Sequence, residues 1–139
     1  MNNTALKLTA AFFGSKGFKY DIDEENDVII TGVSGLKNKG SMKIYIIFDE
    51  NERTVGIRSH NFCNFPEEKK AKMYETCSKM NDSFRWAKFY VDEQDNTITV
   101  ADDAVVSLEN CGEELFELVL RMASIGDDAY PEFMKALWA

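Results

Sequence analysis

The sequence predicts a single α+β domain: an antiparallel β-sheet meander with helices packed on one face, in the order α-β-β-β-β-α-β-β-α-α. Three observations predict it. Short runs alternate apolar and polar residues with period two. Turns too short for a crossover separate them, which dictates antiparallel pairing. Stretches with helical spacing lie at both ends and in the middle. With 139 residues, 45% of them apolar and 29% charged, the chain can bury one core, and no linker or repeat divides 1–139.

The first helix spans residues 4–13, where Leu6, Ala10 and Phe13 share a face. Asn3 or Thr4 caps its start, and Gly14 with Gly17 ends it. Phe18 to Ile22 alternates as a strand. The acidic turn Asp23 to Asp27 leads to a second run, Val28 to Val33, and the stretch from Gly35 to Gly40 is a flexible loop. In Ser41 to Phe48, Met42, Ile44, Ile46 and Phe48 share one face, and Lys43, Tyr45 and Ile47 the other. After Asp49 to Glu52 the chain returns over Arg53 to Phe62, with Val55 and Ile57 opposing Gly56, Arg58 and His60.

Pro66-Glu67-Glu68 opens the middle helix, since proline suits a first turn and carboxylates favour its positive end. Met73, Cys77 and Met80 form its apolar stripe. Two further runs, Phe84 to Val91 and Thr97 to Val100, flank the polar turn Asp92 to Asn96 as a hairpin. Ala87, Phe89 and Val91 then point one way, and Trp86, Lys88 and Tyr90 the other. Asp102-Asp103 begin a connection, and Asn110 with Glu113 reads as a capping pair. Leu115, Leu118, Val119, Met122 and Ile125 make the next helical stripe. Gly126 ends that helix and Pro131 starts a short last one.

A net charge of −8 repels phosphate backbones and anionic lipid, so neither nucleic acid nor membrane is an expected partner. No apolar run is long enough for a membrane helix, and the N-terminal stretch from Met1 to Lys7 lacks the layout of a secretory signal. Three scattered cysteines, Cys63, Cys77 and Cys111, suit free thiols in a reducing cytoplasm better than a disulfide frame.

Pro66-Glu67-Glu68-Lys69 at a helix start, Asn81 near that helix's end, Ala87 to Asp92 before an acidic turn, and Tyr130-Pro131 ahead of the last helix together resemble the YbjN-like family of bacterial proteins. The likeness runs over roughly Leu6 to Leu137, and members carry the label of sensory transduction regulators. It implies a fold similar to that of type III secretion chaperones, an intracellular bacterial setting and a protein-binding role. It implies no catalytic signature.

No catalytic constellation, metal set or cofactor motif stands out. His60 and Cys63 have a spacing that suggests a metal pair or a Cys–His nucleophile, but residues three apart on a strand face opposite ways, and no second ligand pair follows. The acidic run from Asp21 to Asp27 fails the calcium-loop template at Asn26 and Gly32. Paired carboxylates such as Glu67/Glu68 and Glu113/Glu114 sit where helix starts favour negative charge. Gly32, Gly35 and Gly40 match no phosphate-binding fingerprint.

The remaining candidate is the sheet face opposite the helices. Lys43, Tyr45, Arg58, Trp86, Lys88 and Tyr90, with Ile47 and His60, form an aromatic and basic patch there, the composition of interface hot spots. The expected function is therefore a non-enzymatic protein-binding module, chaperone-like adaptor or regulator, with a protein partner or a homodimer mate on that face. The competing reading is a small-molecule sensor or enzyme with a pocket between sheet and helices. The plainer alternatives are that the last helix, with Phe133, Leu137 and Trp138, covers this face, or that the patch is only a mixed sheet surface.

Overall fold

The computed structural model describes residues 3–139. Met1 and Asn2, the first residues of the N-terminal stretch read above, lie outside them. Helix α1 (Thr4–Ser15) leads into strands β1 (Asp21–Asp23), β2 (Val28–Leu36), β3 (Gly40–Phe48) and β4 (Thr54–Ser59). A 3₁₀ turn over Glu67–Lys69 enters α2 (Lys70–Ser83), then β5 (Lys88–Asp92), β6 (Thr97–Val105) and α3 (Cys111–Trp138) follow. All pairings are antiparallel, and the sheet runs β1-β2-β3-β4-β6-β5. The first four strands form the meander; β6 then takes the place beside β4 and leaves β5 outermost.

Period two fixes the faces. Met42, Ile44, Ile46, Phe48, Val55, Ile57, Phe89, Ile98 and Val100 are buried toward the helices. Helix α3 lies across β2, β3 and β6, α1 packs on α3, and α2 runs beside β5. In α1, Asn3 Oδ1 accepts the Leu6 N–H at 3.0 Å, the expected N-cap. The predicted stripe Met73, Cys77 and Met80 is the buried face of α2.

The two predicted C-terminal helices are one, 28 residues long and so about 42 Å at 1.5 Å per residue. Gly126 is no terminator: it allows close approach, since a Cβ there would meet Met42 Sδ at 2.6 Å. Pro131 lacks the N–H that would bond the Asp127 carbonyl one turn back. That carbonyl instead accepts Asn38 Nδ2 at 3.1 Å, so the helix continues with its orphan group satisfied. Asp127 itself is buried, and its Oδ1 accepts the Asn38 and Lys39 backbone N–H groups, both at 2.8 Å. The β2–β3 turn is thereby tied to the middle of α3. Lys39 adds its ammonium over the Phe62 and Tyr130 rings.

Three further expectations are corrected. Asp102 and Asp103 lie within β6, opposite Ile57 and Gly56 of β4, and do not begin a loop. Asn110 does not cap α3 with its side chain; Oδ1 turns back to accept Ser107 N–H and Oγ–H. The run from Phe84 is not extended at its start, because the Ala87 N–H bonds Arg85 O and Trp86 has φ 71°.

Asp127→Ala removes the acceptor of two backbone donors and leaves the carbonyl tie alone. Urea unfolding of this variant should show a loss of about 1–3 kcal/mol at unchanged m-value. An unchanged midpoint would mean that the turn does not need the carboxylate.

Candidate protein-interaction face

No helix covers the second face of the sheet among the described residues. Phe133, from the end of α3, packs on Phe62 and Phe89 on the helix side, so α3 does not wrap over. Five of the expected residues, Lys43, Tyr45, Arg58, Lys88 and Tyr90, are carried on strands whose alternation turns them toward this face. Lys43 Nζ lies 5.6 Å from the Tyr45 ring centre, and the Tyr45 and His60 rings are 5.7 Å apart. His60 Nδ1 is 3.4 Å from Thr99 Oγ1, and Thr99 is the cross-strand partner of Tyr90. A continuous line thus crosses the sheet from β3 to β5. Thr99 is fully buried although it belongs to this face, because flanking side chains roof it.

Arg58 is held rather than free. Nη1 donates to Asp103 Oδ1 at 3.0 Å and to the Ile57 and Asp102 carbonyls at 3.0 and 2.7 Å. The Asp103 side chain is 76% exposed, so the ion pair contributes at most about 1 kcal/mol and chiefly sets geometry. Between them the face dips over Gly56 in a shallow concavity of about 420 Å³ bordered by Ile47, Thr54 and Val105. Burial pushes the Asp102 carboxyl up; the Asp103 backbone N–H that it accepts pulls it down, the Asp103 charge raises it, and Arg58 and Arg121 lower it.

Two expected members behave differently. Lys88 reaches round the sheet edge and donates to Asn81 O at 2.8 Å and Phe84 O at 2.7 Å, so it caps the end of α2. Trp86 is not on the face at all. The left-handed backbone at that residue breaks the alternation, and its exposed ring stands 5.0 Å from the Arg121 guanidinium of α3, with Arg85 at 5.8 Å. Strict period two, carried two residues too far, misplaced it. No signal in the sequence marks the positive φ, since glycine and asparagine are the usual residues there.

The features that suggested chemistry separate in space. His60 is exposed on the open face, whereas Cys63, Cys77 and Cys111 are buried free thiols. Burial pushes the Cys63 thiol up to about 11 and the Cys77 thiol up to about 12. Such thiols are poor nucleophiles at neutral pH. Neither the concavity over Gly56 nor a second one beside β2 is lined by Cys63, Cys77 or His60, and no group of three His, Cys, Asp or Glu among the described residues could hold a metal ion. No helix there is long and apolar enough to cross a membrane.

Among the described residues, an antiparallel six-stranded sheet with three α-helices packed against it defines an α+β protein with a free sheet face. Residues 8–134 match the model of the YbjN family, described as "Putative bacterial sensory transduction regulator", and the chain belongs to that family. Among solved structures it is similar to YbjN from E. coli, described as a transcription regulator of putative status. That likeness has a TM-score of 0.64 and 11% identity over 91% of this chain and 92% of that one. It is also similar to a chain of the ExsC–ExsE complex, at TM-score 0.53 and 15% identity over 92% and 94% of the two chains. At these identities the likeness shows the fold. No curated protein sequence matches it.

At pH 8 the thiolate fraction of Cys63 and Cys77 is on the order of one in a thousand or less, so the native protein should resist a thiol-colour reagent that reacts fully after denaturation. The sign for stability follows. Both thiols ionise less readily when folded than at their ordinary 9.0, so their contribution is intact below pH 9 and lost as pH rises toward 11 to 12. Thermal midpoints should fall across that window, and less so for Cys77→Ala.

Proposed function

We propose that this chain is a non-enzymatic protein-binding module, an adaptor or regulator of the bacterial cytoplasm that holds a protein partner on its open sheet face. The observation that supports this most is the unroofed line Lys43–Tyr45–His60–Tyr90, with Arg58 fixed beside it. Two tyrosines and an arginine on a rigid sheet offer contact area at little entropic cost on binding. The patch is basic and aromatic on a chain of net charge −8, which favours a partner with an acidic or mixed surface. The family description of a regulator and the fold shared with a chain from a two-protein complex support the same reading. A second copy of the chain is the other occupant the face would suit.

The test is a quantitative pull-down from lysate of the native host, with circular dichroism confirming that each variant is folded. Tyr90→Asp with Lys43→Glu should lose a protein that the wild type enriches. Trp86→Asp, off the face, should retain it. Equal recovery by the Tyr90/Lys43 variant would remove the face from the binding site, and loss with Trp86→Asp alone would move the site to the Arg85–Trp86–Arg121 cluster.

A further inference from the structure

The two edges of the sheet are treated in opposite ways. At β5, α2 lies alongside, and Asn81 bonds the strand's outward groups directly: Oδ1 accepts Phe89 N–H at 2.7 Å and Nδ2 donates to Phe89 O at 3.0 Å. That edge is closed at Phe89. At the other, β1 covers β2 only from Val28 to Ile30. Beyond it the chain leaves the sheet plane, because Phe18 packs on Phe13 and Phe116 in the helix layer and Thr31 Oγ1 holds Lys19 O at 2.9 Å from the covered side.

The register shows which backbone groups this exposes. Phe48 N–H donates to Asp27 O at 2.9 Å, so Asp27 is a hydrogen-bonded pair position with β3. Alternation along the pairing then assigns Ile29, Thr31 and Val33 to β3 and turns Ile30, Gly32 and Ser34 outward. Ile30 meets Asp21 of β1; Gly32 and Ser34 meet no strand among the described residues. The stretch Thr31 to Leu36 carries no charge and no proline, and its one blunting device is the irregularity between Ser34 and Leu36, past the two outward positions. A concavity of about 1180 Å³ runs along it, between the diverging segment Gly17–Asp21 and β3.

Charge selects the occupant. Lys19 and Lys43 line the concavity and Asp21 is the one carboxylate in its lining. Lys16 and Lys37 flank it in sequence, whereas the acidic turns Asp23 to Asp27 and Asp49 to Glu52 lie at the opposite end of these strands. On a chain of net charge −8, this corner is locally basic.

We propose that the free edge of β2 takes up an extended, acidic segment of a partner protein as an added strand. Its backbone hydrogen-bonds to Gly32 and Ser34, and its carboxylates lie between Lys19 and Lys43. This rests on the protein-binding reading above and locates a second contact, separate from the Tyr90 end of the face.

The experiment is selection of a displayed library of random linear peptides on the wild-type protein, followed by fluorescence polarisation with the best synthetic peptide. Expected is enrichment of Asp and Glu. Affinity should fall by about tenfold or more in Ser34→Pro, which loses one outward N–H and obstructs the edge. Lys19→Glu with Lys43→Glu should weaken it comparably, and Tyr90→Asp should not. Gly32 is left intact, because a Cβ there would meet Met42 O at 2.9 Å. If Ser34→Pro fails to fold, the peptide N-methylated at alternate residues, tested on wild type, must lose the same affinity. No selectable peptide, no acidic bias, or equal binding to Ser34→Pro overturns the proposal. So does a wild-type dimer that Ser34→Pro turns into a monomer, since the edge then belongs to a second copy. Host-lysate partner loss with Tyr90→Asp but not with Ser34→Pro would leave the face reading standing and sink this one.

Discussion

The tie between Asp127 and the β2–β3 turn organises the structure, because it fixes where the long helix crosses the sheet. One carboxylate oxygen accepts two backbone N–H groups, and the carbonyl freed by Pro131 accepts the Asn38 amide. A buried acid at this place would be costly if unpaired, so its satisfaction is a condition of the packing. Gly126, one residue before, lets the helix backbone settle onto Met42. Gly112 does the same at the other end, where a Cβ would meet Phe12 Cβ at 2.6 Å. Helix α3 is therefore held at its first turn by α1, at its middle by β3 and the turn, and further on by Phe133 against Phe62 and Phe89.

From that placement the rest follows. All three helices lie on one side, so the large apolar side chains of β3, β4, β5 and β6 are consumed there. The other side keeps tyrosine, histidine, arginine and lysine, whose apolar bodies shield a buried Thr99 while their polar ends stay in water. Helix α2 closes the β5 edge at Phe89 through Asn81, and nothing comparable closes β2 past Ile30 among the described residues. A molecule with one edge partly closed, one edge free past Ile30 and one free face is asymmetric in what it presents. The free surfaces present aromatic rings, cations and unpaired backbone, while Cys63 and Cys77 are withdrawn into the core and held protonated by burial.

The composition of the open face was largely legible in advance because it depends on period two alone. Tyr45, Arg58 and Tyr90 occupy it for the same reason that Ile44, Ile57 and Phe89 are buried: successive side chains of a strand point oppositely. Legibility ended where the backbone left that period. Trp86 adopts a left-handed conformation that nothing in Phe84-Arg85-Trp86-Ala87 announces, and the indole lands beside Arg121 of α3. Lys88 has the right parity, but its long stem lets the ammonium reach carbonyls at the end of α2.

By itself the sequence determined the element types, the antiparallel pairing of the first four strands, the core faces and the charge that disfavours nucleic acid and membrane. These depend on near neighbours or on sums, which a linear chain displays directly. Tertiary structure decided the insertion of β6 beside β4, the merging of two expected helices through Pro131, the openness of one face and the difference between the sheet's edges. Each of these turns on a contact between residues far apart in the chain: Asn38 with Asp127, Gly126 with Met42, Asn81 with the strand it caps, Thr31 with Lys19. Glycine and proline carry local meanings when read alone. Only the partner across the fold shows whether Gly126 ends a helix or lets one settle against the sheet.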